Sequence, residues 1–288
     1  MFLIVGANSE VGSATANYIR AQGGDVMTTT RRAPEEENQI RFDLASSIER
    51  FHVPEGIKSA CICVAIARLA ACAADPEGSA RINVHQTIAL VDRLVQRGVF
   101  TLFLSSNQVF NGDEPHMAAN APLSPVSEYG RQKAEVERML QVRMSAGAPI
   151  GVLRLAKVVS PRMPLIAHWI TELKAGRPIR AFTDMTLAPV PVGLAAQSIA
   201  RIMDTKFPVI AQLSGPRDAA YFEVARFVAT KIGVDPKLVR AASALGEGMP
   251  AGSTPRHTTL DCSFIADKYG VSVPDIFEVV WGSQRVEG

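Results

Sequence analysis

Along the first 160 residues, polar and apolar positions switch between two periods. Short apolar or β-branched runs fall at 1–5, 25–30, 59–67, 100–104 and 151–159, the pattern of parallel strands covered on both faces. Between them an apolar repeat of helical period fills the stretch after residue 12 to about 20, then 78–97 and 128–143. In 78–97 the apolar face is Ile82, Ile88, Leu90, Val91, Leu94 and Val95, and Gly98 ends the helix. Such alternation predicts an α/β fold with a doubly wound parallel sheet. Beyond residue 160 the alternation loosens. Helices are predicted at 164–175, 192–203 and 222–232 and strands at 179–182 and 209–213, before a polar loop with Gly and Pro through 254–261. The boundary is placed near residue 160: 1–160 as one domain, with elements near 190–215 returning to it, and 161–288 as a smaller region.

The turns after the strands carry the chemistry. The first strand runs into Gly6-Ala7-Asn8-Ser9-Glu10-Val11-Gly12 and then a helix. Gly6 permits a tight turn, Gly12 lets helix and strand approach, and the amides at the helix start face a phosphate. Ser9 stands where this pattern has its central glycine and offers a hydroxyl to the phosphate. The second strand ends in Arg31-Arg32 with no acid. An acid there reads the ribose hydroxyls of NAD(H) and an Arg accommodates the 2′-phosphate of NADP(H), so NADP(H) is favoured and NAD(H) is the alternative. Asp43, followed by Leu44, ends a short run and either meets the adenine or caps the next segment. Val64, Ala65 and Ile66 end the central strand, where the small side chains of Ala65 and Ala67 let a cofactor lie against the backbone. Asn83, near the start of the following helix, is either plain helix surface or a buried amide that fixes the strand ends.

The strand at 100–104 delivers Ser105, Ser106, Asn107 and Gln108 to the carboxyl edge of the sheet, where open α/β sheets bind ligands. Tyr129 and Lys133 follow, four apart on one helical face, so phenol and ammonium reach a common point. A free phenol titrates at about 10. It moves protons near neutrality only if a nearby cation favours the phenolate, and Lys133 is that cation.

Composition narrows the partners. With 288 residues and 47% apolar content the chain supplies the core of one large domain or two smaller ones. Lys and Arg number 30 against 28 Asp and Glu, and a net charge of +2 gives no reason to expect nucleic acid or an anionic membrane. No apolar run approaches the roughly 18 residues of a membrane span. The chain enters a strand without a basic leader, so a soluble cytoplasmic protein is expected. Cys61, Cys63, Cys72 and Cys262 lack C-x-x-C spacing and read as buried, reduced thiols. None of the five histidines is at metal-ligand spacing, so no metal is expected. Ser106 has no G-x-S-x-G context, which disfavours a hydrolase.

Together, Gly6 to Gly12, Asp43-Leu44, Asn83, Ser105-Ser106, Val109-Phe110, Tyr129-x-x-x-Lys133 and Leu153-Arg154-Leu155 resemble the extended short-chain dehydrogenase/reductase family over nearly the whole chain. Residues 105–112 and 255–261 are similar to its sugar-nucleotide branch, which includes the dTDP-4-dehydrorhamnose reductases. The resemblance implies a Rossmann-type sheet with a smaller C-terminal α/β substrate domain. It also implies that Ser106 orients a carbonyl, Tyr129 is the general acid/base, and Lys133 binds the nicotinamide ribose and lowers the pKa of the phenol. The reaction implied is NADP(H)-dependent reduction of a keto group on a nucleotide-linked sugar. The alternatives are an epimerase or dehydratase with tightly held NAD(P) and a non-catalytic NADP-binding regulatory subunit. A homodimer through the helices at 78–97 and 128–143 is implied as well. Lys157 stands where the dehydrorhamnose reductases have an aromatic residue. Lys157, Arg162 and Arg256 are candidates to hold a substrate phosphate or carboxylate.

Overall fold

The apolar runs of the first half become neighbouring strands of one sheet. The computed structural model describes residues 1–46, 48, 51–160, 163–249 and 252–282. In chain order they form β1 (Phe2–Val5), α1 (Glu10–Ala21), β2 (Val26–Thr30), β3 (Gln39–Arg41), β4 (Ser59–Ile62), α2 (Leu69–Ala74) and α3 (Pro76–Ala80). A π-helical turn, Arg81–Gln86, leads into α4 (Thr87–Gln96), then β5 (Phe100–Ser106), α5 (Glu128–Ser145), β6 (Ile150–Leu155) and β7 (Val158–Val159). The remainder comprises α6 (Pro164–Lys174), β8 (Ile179–Phe182), β9 (Thr186–Leu187), β10 (Val190–Pro191), α7 (Val192–Thr205) and β11 (Ile210–Leu213). Last come β12 (Ala219–Ala220), α8 (Tyr221–Lys231), β13 (Val239–Ala242), α9 (Ser263–Tyr269) and α10 (Ile276–Gly282).

Seven strands pair in the order β11-β6-β5-β4-β1-β2-β3, all parallel. The order reverses between β1 and β4, and a doubly wound sheet of this Rossmann type leaves a crevice there at its carboxyl edge. Successive residues of each strand point to opposite faces. Leu3, Val5 and Phe103 join Leu90, Val91 and Leu94 of α4 and Val136 and Leu140 of α5 in one core layer. Ile4, Leu102 and Leu104 join Ile19 of α1 and Ile199 and Ile202 of α7 in the other. The segment 192–213 thus completes the first sheet, with β11 registering Leu213 on Leu155 of β6. A third cluster, including Ile166, Trp169, Ile179, Val224, Val228 and Ile276, gathers α6, α8 and α10 against the parallel pair β8–β13.

One polar residue sits at the centre of this packing. Arg154 of β6 is fully buried, with Nη2 2.6 Å from Oε2 of the equally buried Glu137 on α5. Its Nη1 donates to Gln212 of β11 and to the Ala119 carbonyl, both at 3.0 Å. A buried guanidinium is tolerable because its donors meet acceptors at good geometry.

Several boundaries differ from the sequence pattern. The apolar run at 59–67 pairs only as far as Ile62, and the run at 151–159 splits into β6 and β7. There the ladder partner changes: Val190 N donates to the Lys157 carbonyl at 2.8 Å, and β7 pairs with β10 instead of the main sheet. The helix expected from 78 begins at Pro76, behind an Asp75 cap that accepts from Gly78 N at 2.9 Å. Helices α2, α9 and α10 and strand β13 have no counterpart in the sequence reading. Among the described residues no helix is long and apolar enough to cross a membrane.

Candidate active site

At the end of β1 the backbone turns at Gly6, whose φ is +89° and whose Cβ, if present, would lie 3.0 Å from that of Val64. A Cβ on Gly12 would meet the Gly6 carbonyl and the Ser9 hydroxyl at 2.5 and 2.9 Å, so turn and helix close only with glycine. Ser9 is the N-cap of α1. Its Oγ accepts from Gly12 N at 3.1 Å and donates to the Gly6 carbonyl at 2.8 Å. The hydroxyl therefore closes the turn, its proton directed at Gly6. The amides of Glu10 and Val11, in the first turn of α1, are left without intrahelical partners. That is a donor set suited to a phosphate.

A cleft of about 350 Å³ opens beside this turn, lined by Gly6, Asn8, Ser9, Arg31, Asp43, Leu44, Val64, Ala65 and Ile66 among others. Arg31 is exposed at its edge, whereas Arg32 is exposed outside its lining. Asp43 both lines the cleft and accepts from Ala45 N at 3.0 Å, which closes the local turn. A glycine cradle, orphan amides and an exposed Arg31 at the edge of the cleft fit a nicotinamide dinucleotide.

Asn83 lies behind this wall, 1% exposed, within the π-helical turn. Its side chain accepts from Ile66 N at 2.8 Å and donates to Ile66 O at 2.9 Å, pairing with the backbone as a neighbouring strand would. Its Nδ2 also donates to Gln132 Oε1 at 2.7 Å, and Gln132 Nε2 donates to Ser79 Oγ at 2.8 Å and Glu128 Oε1 at 3.2 Å. Cys72 Sγ joins the group by donating to Ile66 O at 3.2 Å. The sequence reading missed Gln132, Glu128, Ser79 and Cys72. Their one sequence signal is a Gln beside Lys133, a polar position on a helix packed against the sheet.

A second cleft, about 370 Å³, shares Ser9, Cys63, Val64 and Ala65 with the first and is also lined by Glu10, Val11, Ser105, Ser106, Tyr129, Lys133 and Lys157. Ser106 ends β5, where its Oγ accepts from Gln108 N at 3.2 Å and lies 3.3 Å from Asn107 Oδ1. Ser127 caps α5 by accepting from Gly130 N at 3.1 Å, and it donates to Gln108 Oε1 at 3.1 Å. Any Cβ on Gly130 would overlap the Gln108 carbonyl. This close approach sets Tyr129 at the same cleft as Ser106. Asn107 and Gln108 are not part of the lining; they hold the frame between β5 and α5.

Lys133 is 4% exposed, donates from Nζ to the Leu104 carbonyl at 2.8 Å, and lies 5.7 Å from the Tyr129 ring centroid. Burial lowers its pKa from the usual 10.5 to about 8, against the upward pull of Glu137, Cys63 and Cys72. Burial also pushes the Tyr129 phenol above its ordinary range, with Cys72 adding to the rise. The protein alone thus holds the phenol protonated, contrary to the expectation that Lys133 lowers its pKa, because the desolvation of the buried phenol dominates.

The three remaining cations diverge. Lys157 is exposed at the mouth of the second cleft. Arg162 lies outside the described residues. Arg256 lines a separate depression of about 390 Å³ with Thr186, Asp218 and Phe222. Asp218 organises that loop, accepting from Thr258 N at 2.6 Å and from the hydroxyls of Thr258 and Thr259 at 2.8 and 2.9 Å, with His257 Nδ1 at 3.1 Å.

A doubly wound parallel sheet with this glycine turn and contiguous cleft defines an enzyme that works with a nicotinamide nucleotide. The chain belongs to the NAD dependent epimerase/dehydratase family, which it matches over residues 2–187. A relative from Haloferax volcanii, the "Probable low-salt glycan biosynthesis reductase Agl14", is 22% identical over 300 residues, covering 95% of this chain and 93% of that protein. In fold the chain is similar to MoeE5, solved in complex with UDP-glucose and NAD, with a TM-score of 0.80, 21% identity, and 98% and 96% of the two chains covered. A dTDP-4-dehydrorhamnose reductase from Clostridium acetobutylicum matches with a TM-score of 0.78 and 16% identity, over 97% of this chain and 96% of its own.

Proposed function

We propose that this protein is an NADP(H)-dependent reductase of a keto group on a nucleotide-linked sugar. The observation that carries the reading is the meeting of Ser106, Tyr129 and Lys133 in one cleft that continues into the cleft edged by Arg31. The names of the Haloferax and Clostridium proteins and the UDP-glucose held by MoeE5 support the substrate class, and the NAD held by MoeE5 supports a nicotinamide nucleotide; the choice of NADP(H) over NAD(H) rests on Arg31 alone.

When bound, the nicotinamide nucleotide supplies the hydride. The chain supplies position and a proton. The amides of Glu10 and Val11 would hold the cofactor's pyrophosphate, Arg31 its 2′-phosphate and Asp43 its adenine end. Ser106 donates a hydrogen bond to the substrate carbonyl and orients it toward Tyr129. Because burial keeps the phenol protonated, Tyr129 Oη is in the acid form and gives its proton to the carbonyl oxygen as that oxygen gains charge. Lys133, with a pKa of about 8, stands beside the phenolate that results and returns a proton to it from solvent. Lys133 Nζ is also the donor for the ribose hydroxyls.

An epimerase or dehydratase returns the hydride to the same molecule and needs a base first. Arg31, at the edge of the first cleft, favours NADP(H) and with it net reduction. NADPH oxidation with a panel of nucleotide-linked 4-keto sugars tests the proposal. A protein that binds NADPH yet turns over none of them refutes it, and a nicotinamide absorbance carried through purification would favour the epimerase or dehydratase.

A further inference from the structure

We propose that Cys61 and Cys63 are a dithiol that low-molecular-weight disulfides oxidise to an internal disulfide, and that closing this bond weakens the hold of the first cleft on its nicotinamide nucleotide. The inference goes beyond the reductase reading and uses only the assignment of that cleft to the cofactor.

The two residues flank Ile62 at the end of β4, so their side chains share one face of the sheet. Their sulfurs lie 3.5 Å apart. The other two thiols are engaged elsewhere, Cys72 with the Ile66 carbonyl and Cys262 with Ser214 N, each at 3.2 Å. The members of the pair differ in access. Cys61 is fully buried, and burial pushes its thiol well above the ordinary range. Cys63 is half-buried, lines both clefts, and lies within electrostatic reach of the Lys133 ammonium. A thiol that is partly open and faces a cation is the reactive member of such a pair.

The exchange balances. The Cys63 thiolate attacks one sulfur of RSSR, a Cys63–S–SR bond forms, the original S–S bond breaks, and RS⁻ leaves with the proton that Cys63 gave up. Cys61 Sγ, already in contact, then attacks Cys63 Sγ, and the second RS⁻ leaves with the Cys61 proton. Two protein thiols have lost two electrons and two protons, and one RSSR has become two RSH.

Closure must shorten the backbone. Residues two apart on a strand have Cβ atoms roughly 6.5 Å apart, whereas a disulfide brings them to about 3.8 Å. The shortening falls where the ladder ends. Ile62 is the last residue of β4, paired with Val5 and Phe103, and Cys63 N donates to the Val5 carbonyl at 2.9 Å. Val64 moves with Cys63. Its Cβ, N and Cα would lie 3.0, 3.1 and 3.3 Å from a Cβ on Gly6, so the glycine turn is built directly against it. Val64 and Ala65 also line the first cleft. Drawing 61 and 63 together pulls that wall from its seat on Gly6, which couples the state of the dithiol to the binding of the nucleotide.

Equilibration of the full chain in glutathione redox buffers tests this, with intact mass and peptide mapping for the products and fluorescence titration for NADP⁺, with NAD⁺ in parallel. The wild type is expected to lose two hydrogens, retain no glutathione and map the new bond to Cys61 and Cys63. The oxidised form is expected to bind NADP⁺ about 5- to 150-fold more weakly, the usual span for coupled sites. By reciprocity, saturating NADP⁺ shifts the value of [GSH]²/[GSSG] at half-oxidation by that same factor. Cys61→Ala lies outside the lining of both clefts. When reduced it is expected to bind NADP⁺ within about twofold of the wild type, below the scale of one hydrogen bond, and in the redox buffer to stop at a glutathione adduct on Cys63. A lasting adduct on wild-type Cys63, or no reaction at either thiol, overturns the inference. So does equal NADP⁺ affinity of the oxidised and reduced wild type. A reduced wild type that binds neither NADP⁺ nor NAD⁺ overturns the cofactor assignment, and the coupling with it.

Discussion

Replacing Lys133 by Met should stabilise this protein at neutral pH while abolishing its activity. Lys133 is 4% exposed and its pKa is lowered from 10.5 to about 8, chiefly by burial. That lowering corresponds to roughly 3 kcal/mol by which folding disfavours the charged amine. Below pH 8 the amine is charged in both folded and unfolded chains, and the whole penalty is present. Between pH 8 and 10.5 the folded protein has released a proton that the unfolded chain still holds, so stability rises with pH. Above 10.5 the penalty is gone. The Met variant escapes the penalty but deprives the Leu104 carbonyl of a 2.8 Å hydrogen bond, a loss of roughly 1–2 kcal/mol. At pH 7 the balance is a gain of about 1–2 kcal/mol. At pH 9.5 the wild type has recovered roughly 2 kcal/mol of its penalty and the advantage is close to zero. Urea unfolding of both proteins at the two pH values measures the difference. A gap between variant and wild type that does not change from pH 7 to 9.5 would refute the argument, because it would mean that Lys133 keeps an ordinary pKa in the fold.

Three further outcomes follow from the geometry. Tyr129→Phe removes the proton donor and should lower kcat by about 10²–10⁴-fold, with the NADPH dissociation constant unchanged in a fluorescence titration. Arg31→Ala should raise the KM for NADPH by about tenfold, one charge-assisted contact, and leave that for NADH alone; equal effects on both cofactors would remove Arg31 from the 2′-phosphate. Glu137→Gln leaves the guanidinium of Arg154 buried without its counter-charge and should cost about 3–5 kcal/mol. Differential scanning calorimetry reads it as a fall in Tm of several degrees, and an unchanged Tm would show the pair to be energetically idle.

What could be read in the sequence was what chemistry or sheet geometry restricts to few residue types. Buried parallel strands need unbroken apolar runs, so β1, β5 and β6 stand out; a turn with φ of +89° needs Gly6. The Tyr129 and Lys133 pair is legible because helical spacing alone puts four-apart residues together. The supports of these groups were not legible, because their partners come from distant chain. The π-helical turn around Asn83 exists to face Ile66 and Gln132, 17 and 49 residues away, and no local propensity announces an i→i+5 pattern. Residues 158 and 159 are as apolar as β6, and only the tertiary choice of β10 as partner removes them from the main sheet. Arg256 and Lys157 were indistinguishable as candidate cations until the fold put one in each of two depressions. Ser9 shows the converse. Its hydroxyl was read as reaching outward to phosphate, yet both of its hydrogen bonds are made within three residues, since a serine at a helix N-cap satisfies the nearest orphan amide first. A local bond of this kind costs the chain almost no added ordering, and it wins over a ligand contact whenever the same oxygen can make either.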